Sequence, residues 1–224
     1  MITRAEAVSR QHADNARYRH HRQEAIKAAA SVFAEKGFHG ASTKDIAERL
    51  GIKQGSLYYY FRSKEEALGE VCLFGIEDYV RRMARIAKSD QPFEAKLLAT
   101  LTSHLSSYRE KNEALKVYND ERLYLPEEKR KVLKQLGSGY RQLLEGIFEE
   151  GIRQGVIRKS IDCHFAAQAV IGICNAWGDL IVRDPDLDIF DVTQKSADLL
   201  LNGFSERRRN HRGTDGNVGL ATEY

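Results

Sequence analysis

Residues 42–61 read STKDIAERLGIKQGSLYYYF, and they divide into two short helices. The first runs from about Thr43, carries Ile46 and Leu50 as its apolar stripe, and stops at Gly51. Glycine enters the left-handed conformation of a helix end without steric penalty. The second starts about three residues later, near Gln54. Two helices this short, joined by a turn containing glycine, make a helix-turn-helix. Ala47 is small where the helices must cross, and Leu50, Ile52 and Leu57 fill the wedge between them. Lys53, Gln54, Gly55 and Ser56 then stand at the N-terminal end of the second helix, the end that meets base edges in such motifs. Tyr58, Tyr59, Tyr60 and Phe61 follow in an unbroken row. The i,i+4 spacing turns Leu57 and Phe61 inward together, so the tyrosine rings face elsewhere.

Helical periodicity continues on both sides. Upstream, Ile26, Ala29, Ala30 and Phe33 form a stripe that Gly37 ends. Downstream, Leu68, Val71, Cys72, Tyr79, Met83 and Ile86 mark a long helix, opened by the capping-box pair Ser63 and Glu66. Pro92 opens a helix with Leu98, Leu101, Leu105 and Tyr108 on one face, and Pro126 opens one with Val132, Leu136, Tyr140, Leu143 and Ile147. Pro185 separates a helix containing Phe165, Ala169, Gly172, Trp177 and Leu180 from a last one near Asp188 to Leu201. No sustained period-2 alternation points to a strand. The expectation is an all-α chain of nine helices: a flexible basic arm over 1–17, a three-helix head over 18–65, a six-helix domain over 66–204 and a disordered tail over 205–224.

Composition narrows the function classes. Residues 1–64 hold 12 Lys/Arg against 6 Asp/Glu, and the remaining 160 hold 23 against 26. A basic front on a mildly acidic body fits an anionic partner for the front alone. No apolar run approaches the roughly 18 residues of a membrane span, so no membrane is expected. Cys72, Cys163 and Cys174 form no CxxC pair and are odd in number, which fits a reducing, cytoplasmic setting. Cys72 and Cys174 fall on apolar faces as packing residues. His20-His21 and Cys163-His164 are adjacent pairs whose side chains diverge on a helix, so no metal is expected. No cofactor loop, nucleophile–base set or carboxylate pair stands out, so the chain does not read as an enzyme. An all-helical interaction module with a basic face is the rival class, and steep salt dependence on duplex DNA separates the two.

Over residues 33–68 the run F-A-E-K-G-F-x-G-A-S-T-x-x-I-A-x-x-x-G-I-x-x-G-S-L-Y-Y-Y-F-x-S-K-E-x-L strongly resembles the DNA-binding domain of tetracycline-repressor (TetR/AcrR-type) transcriptional regulators. Beyond residue 90 the resemblance is one of layout. It implies a homodimer, joined through the last two helices, that represses or activates from a palindromic operator and answers to a small-molecule effector. It also implies roles by position. Thr43 and Lys44 would meet phosphate at the start of the second helix, and Lys53, Gln54, Gly55 and Ser56 would approach the major groove, Gln54 being suited to adenine. Tyr58, Tyr59 and Tyr60 would offer hydroxyls to phosphates, and Lys64 would pair with another. Many relatives have His in place of Tyr60. Arg4, Arg10, Arg17, Arg19 and Arg22 could follow a minor groove but read first as a solvated extension, as do Arg207, Arg208 and Arg209.

For the effector, the polar candidates on apolar helices are His104, Tyr108, Arg122, Tyr124 and Trp177. Each has the plainer alternative of core or surface packing. Asp120-Glu121-Arg122 with Trp177 is similar to members that respond to CoA thioesters.

Overall fold

The computed structural model describes residues 4–203, with side chains from residue 16 onward. In that span the chain is helical throughout: α1 (Arg4–Gly40), α2 (Thr43–Leu50), α3 (Gln54–Leu57), α4 (Lys64–Ala87), α5 (Phe93–Glu110), α6 (Asn112–Glu121), a 3-10 turn (Arg122–Tyr124), α7 (Glu127–Arg153), α8 (Cys163–Arg183) and α9 (Ile189–Asn202). The all-α expectation holds. α1 begins at Arg4, inside the segment expected to be a flexible arm; the tail over 205–224, with Arg207, Arg208 and Arg209, lies outside the described residues.

Local chemistry sets the boundaries. Gly37 leaves helical geometry at φ +68° and ψ 168°, breaking α1 three residues before its end. Ser42 caps α2 in a reciprocal box: its side chain accepts the Asp45 N–H while the Asp45 carboxylate accepts the Ser42 N–H. Gly51 closes α2 at φ +74°, the left-handed corner that turns the chain toward α3. Ser63 caps α4 by accepting the Glu66 N–H at 3.1 Å. The Glu66 carboxylate accepts the Arg62 N–H at 2.7 Å instead, one residue farther back than a capping box requires. Pro92 and Pro126 stand at the N-caps of α5 and α7.

One buried core runs from Ala25 to Ala197 among the described residues. Phe33, Ile46, Leu57 and Phe61 fill the head, while Leu68, Ile76, Met83, Leu97, Leu101, Leu105, Leu144 and Ile147 fill the body. Each such side chain contributes roughly 1.5–3 kcal/mol by leaving water. α4 is the central member, packing on α1, α5, α6 and α7. The α7 face differs from the one its sequence suggests. Val132 is exposed and Leu143 only half-buried, whereas their neighbours Leu133 and Leu144 are buried. α7 packs against both α4 and α8, so its apolar arc is wider than a single stripe. α5 shifts likewise: Phe93 and Leu97 are buried and Leu98 is only half-buried.

α8 is the one described helix long and apolar enough to cross a membrane by length and composition alone, with a third of its apolar window buried within the chain and His164, Gln168, Asn175 and Asp179 interrupting its apolar run. The reason is a double role. Ala167, Val170, Cys174 and Ile181 face the core, while Phe165, Trp177, Leu180 and Val182 face out.

Candidate nucleic-acid interface and effector cavity

The head is braced by charge. Arg49 holds Glu35 with two bonds, at 2.9 and 2.6 Å, and Lys36 reaches Asp45 at 2.6 Å. The hydrogen bonds from Lys36 and Ser42 hold the Asp45 carboxyl well below its ordinary range. α1 and α2 are thereby tied together, and α3 is tied to α2 by Gln54 Nε2, which donates to Thr43 Oγ1 at 3.0 Å. Lys44, Lys53, Gln54, Gly55, Ser56, Tyr58 and Tyr59 are exposed, and Thr43 and Tyr60 are half-buried. The space a side chain would occupy at Gly55 is open, so another molecule can approach that backbone.

The tyrosine row is held from behind. Tyr18, on α1, meets Tyr59 edge-on at 5.5 Å and stacks on Tyr60 at 6.4 Å. Tyr59 and Tyr60 meet edge-to-face at 5.5 Å. Leu57 and Phe61 turn into the core. The rings of Tyr59 and Tyr60 therefore pack against Tyr18 before any partner arrives, which lowers the entropic cost of placing their hydroxyls. Tyr18 has no counterpart in the sequence reading. A single aromatic in a basic segment was its only signal, because its partners lie about 40 residues away.

Lys64 is engaged inside the protein. Its ammonium donates to the Phe38 carbonyl at 2.8 Å and the Ala41 carbonyl at 2.9 Å, and lies 4.4 Å from the centre of the Phe38 ring. Two of its three N–H donors thus close the end of α1.

Below the head a cavity of about 700 Å³ opens between the α6 end, α7 and α8, lined by Tyr118, Arg122, Leu123, Arg130, Leu133, Lys134, Gly137, Ser138, Arg141, Gln168 and Ile171. Four of these are cations and none is a carboxylate. Arg141 Nε is buried without a hydrogen-bond partner, although it lies 3.3 Å from Glu145 Oε1 as an ion pair. Lys134 pairs with no carboxylate among the described residues. Leu123, Leu133, Ile171 and the Tyr118 ring supply apolar wall. Such a lining can hold a molecule that combines anionic groups with an apolar part.

Of the residues singled out for an effector, Arg122 alone lines this cavity. Tyr124 is 47% exposed and stacks on Phe38 at 5.7 Å, with His39 edge-on at 4.4 Å. It joins head to body and does not face the cavity. Trp177 sits six residues beyond Ile171 on α8, roughly 120° round the helix, on the outward apolar side at 36% exposure. His104 and Tyr108 are buried core residues. His104 Nδ1 lies 3.0 Å from the Tyr140 hydroxyl, its ring stacks on Tyr79 at 4.9 Å, and burial pulls its pKa down to about 4, so the imidazole is neutral. Tyr108 donates to Asn175 Oδ1 at 3.0 Å. Burial pushes the Cys72 and Cys174 thiols up to about 12, consistent with inert packing.

The family model described as bacterial regulatory proteins, tetR family, matches residues 25–71, and the model described as tetracyclin repressor-like, C-terminal domain, matches 90–204. The chain belongs to the tetR family. This tetR-family chain is a DNA-binding transcriptional regulator. It is 32% identical over 146 residues to the HTH-type transcriptional repressor KstR2 of Rhodococcus jostii, covering 65% of this chain and 72% of that one. It is 26% identical over 186 residues to the fatty acid metabolism regulator protein of Bacillus subtilis, covering 81% and 94%. The crystal structure of the regulator FadR from Bacillus subtilis, in complex with stearoyl-CoA, superposes with a TM-score of 0.69 at 27% identity, covering 82% and 99%.

Arg130, Lys134 and Arg141 are the cavity cations that the sequence of this tetR-family chain did not single out. They lie four and seven residues apart on α7, a helical spacing legible in principle. The apolar stripe of the same helix is the stronger periodic signal and overlies theirs.

Proposed function

We propose that the chain is a homodimeric repressor, acting in the cytoplasm by binding alone, that a CoA thioester releases from a palindromic operator. The cationic cavity carries this reading: four basic side chains with no carboxylate among them, beside an apolar wall. A CoA thioester supplies phosphates for the guanidinium and ammonium groups and an acyl chain for the wall. The similarity to a regulator solved with stearoyl-CoA supports the same class.

Exposure at the second and third helices supports the remaining roles. Gln54, with Lys53, Gly55 and Ser56, enters the major groove, trading its bond to Thr43 for a base edge. Thr43, Lys44, Tyr58, Tyr59 and Tyr60 fix the register on phosphates. Two copies pair through α8 and α9, where Phe165, Trp177, Leu180, Val182, Phe190 and Leu201 are exposed. Pairing sets the two heads to successive major grooves about 34–36 Å apart or slightly more.

The test begins with a duplex selected by the purified protein from a random-sequence pool. Fluorescence anisotropy then follows release of that duplex by CoA, a short-chain acyl-CoA, stearoyl-CoA and free stearate. Release by a thioester, and not by free stearate, is the expected outcome. Tight binding to the duplex that no thioester reverses or competes with would overturn the effector class.

A further inference from the structure

The cations of the head divide by what neutralises them. Arg22 pairs with Glu70 at 2.7 Å, Lys27 with Glu24 at 2.9 Å, Lys36 with Asp45 at 2.6 Å, Lys44 with Glu48 at 3.7 Å and Arg49 with Glu35 at 2.6 Å. Lys64 turns its ammonium to the Phe38 and Ala41 carbonyls. Arg17, Arg19, Lys53 and Arg62 are exposed, and their side chains meet no partner among the described residues.

These four are not scattered. Lys53 precedes Gln54 at the start of α3. Arg62 follows Phe61, whose ring is buried, and its backbone N–H donates to the Glu66 carboxylate at 2.7 Å. Its main chain is therefore tied to α4 while its side chain stands in solvent. Arg17 and Arg19 flank Tyr18, whose ring meets Tyr59 edge-on and stacks on Tyr60. Adjacent Cα atoms lie about 3.8 Å apart, so both arginines leave the turn of α1 that rests on the tyrosine row. The unpaired cations of the described head thus surround Tyr58, Tyr59 and Tyr60. The paired cations lie beside carboxylates and present little net field to a polyanion, whereas these four present theirs in full.

We propose that Arg62 takes the DNA backbone phosphate that family resemblance places on Lys64, and that the Arg17 and Arg19 pair carries the phosphate-binding strip onto α1. A guanidinium suits this ligand because its fork offers two parallel N–H donors to one phosphate. The tyrosine hydroxyls position the strand, and the arginines supply the positive charge that hydroxyls lack. Arg17 and Arg19 leave α1 in directions roughly 160° apart. Whichever flank of Tyr18 the strand follows, an arginine is there to meet it. The assignment rests on the tyrosine face being the one that meets DNA.

Salt titrations of affinity for the selected duplex test this, because phosphate contacts set the slope of log K against log salt. Arg62→Gln should make the slope shallower by about 1.8 per dimer, so its deficit against wild type shrinks roughly tenfold between 50 and 200 mM salt. Its base preference and thermal melt should match wild type, and Arg62→Lys, which keeps the charge, should keep the slope. Arg17→Gln combined with Arg19→Gln should make the slope shallower by at least the same amount. Lys27→Gln is the control: Lys27 pairs with Glu24 at 2.9 Å and lies roughly 180° round α1 from Tyr18, so the slope should not change. A wild-type slope in Arg62→Gln would overturn the proposal. Tyr59→Phe separates the assignment from the face it rests on. If that variant weakens every duplex while Arg62→Gln keeps the wild-type slope, the face stands and the arginine assignment falls. If both variants bind as wild type does, the face is wrong and the assignment falls with it.

Discussion

Replacing Lys64 by methionine keeps the aliphatic stem and removes the ammonium, separating two roles the residue could have. As the structure places it, the ammonium joins the α1 end to the start of α4 through two carbonyls and one ring face. A hydrogen bond to a charged group is worth about 1.5–3 kcal/mol net, and a cation over an aromatic face adds about 0.5–1 kcal/mol at an exposed site. Lys64 is half-buried and its two bonds share one ammonium, so the sum is discounted to roughly 2–4 kcal/mol. In a chain of this size each kcal/mol shifts Tm by about 2–4 °C, giving a fall of roughly 4–16 °C. Duplex binding should weaken because the head is less ordered, but its salt dependence should not change. A lysine on phosphate behaves differently: losing one contact per subunit would make the slope of log K against log salt shallower by about 1.8 per dimer. Anisotropy titrations between 50 and 200 mM salt, beside thermal melts, decide the matter. A shallower slope with an unchanged melt would refute the structural role and return Lys64 to the phosphate backbone.

Gln54→Ala should change which base is preferred at one position of each half-site, read by repeating duplex selection with the variant; Tyr59→Phe should weaken all duplexes alike at constant selectivity. A uniform loss for Gln54→Ala would remove its base-reading role. His104 gives a pH signature. Its pKa falls from 6.5 to about 4 on folding because burial disfavours the charged ring. The unfolded chain therefore binds the extra proton between those values, and stability declines as pH falls from about 6.5 toward 4. The difference of 2.5 units sets a ceiling of roughly 3 kcal/mol. Denaturant titrations at several pH values should show that slope, and His104→Gln should flatten it by the contribution of this one group.

What was legible in the sequence depended on how locally it was encoded. Gly51 and Ser63 act on residues within four positions, so the turn between α2 and α3 and the start of α4 could be placed in advance. Leu57 and Phe61 were legible for the same reason. Tyr124, by contrast, looked like a pocket residue because it stands beside Arg122 and Pro126. Only the fold brings Phe38, more than 80 residues earlier, under its ring. Trp177 was drawn toward a pocket by chemistry alone, while its angular distance from Ile171 places it on the outward face. Lys64 was assigned by family resemblance, and its bonds to the α1 end require the tertiary fold to be seen. The α7 stripe slipped by one residue because a helix packed on two sides buries adjacent positions, and periodicity cannot rank them.

The charge distribution adds a separate reason to regard the cavity as built for a ligand. The chain after Lys64 carries fewer basic than acidic residues, 23 against 26, yet the cavity within it collects Arg122, Arg130, Lys134 and Arg141 with no carboxylate lining. Arg141 pairs with Glu145 at 3.3 Å, and the other three cations meet no carboxylate in the lining. An anion entering the cavity supplies the counter-charge that its lining lacks, and any ligand of the folded state stabilises it by mass action. The same linkage works in reverse. If filling the cavity weakens operator binding by some factor, a dimer held on its operator must bind the effector more weakly by that factor.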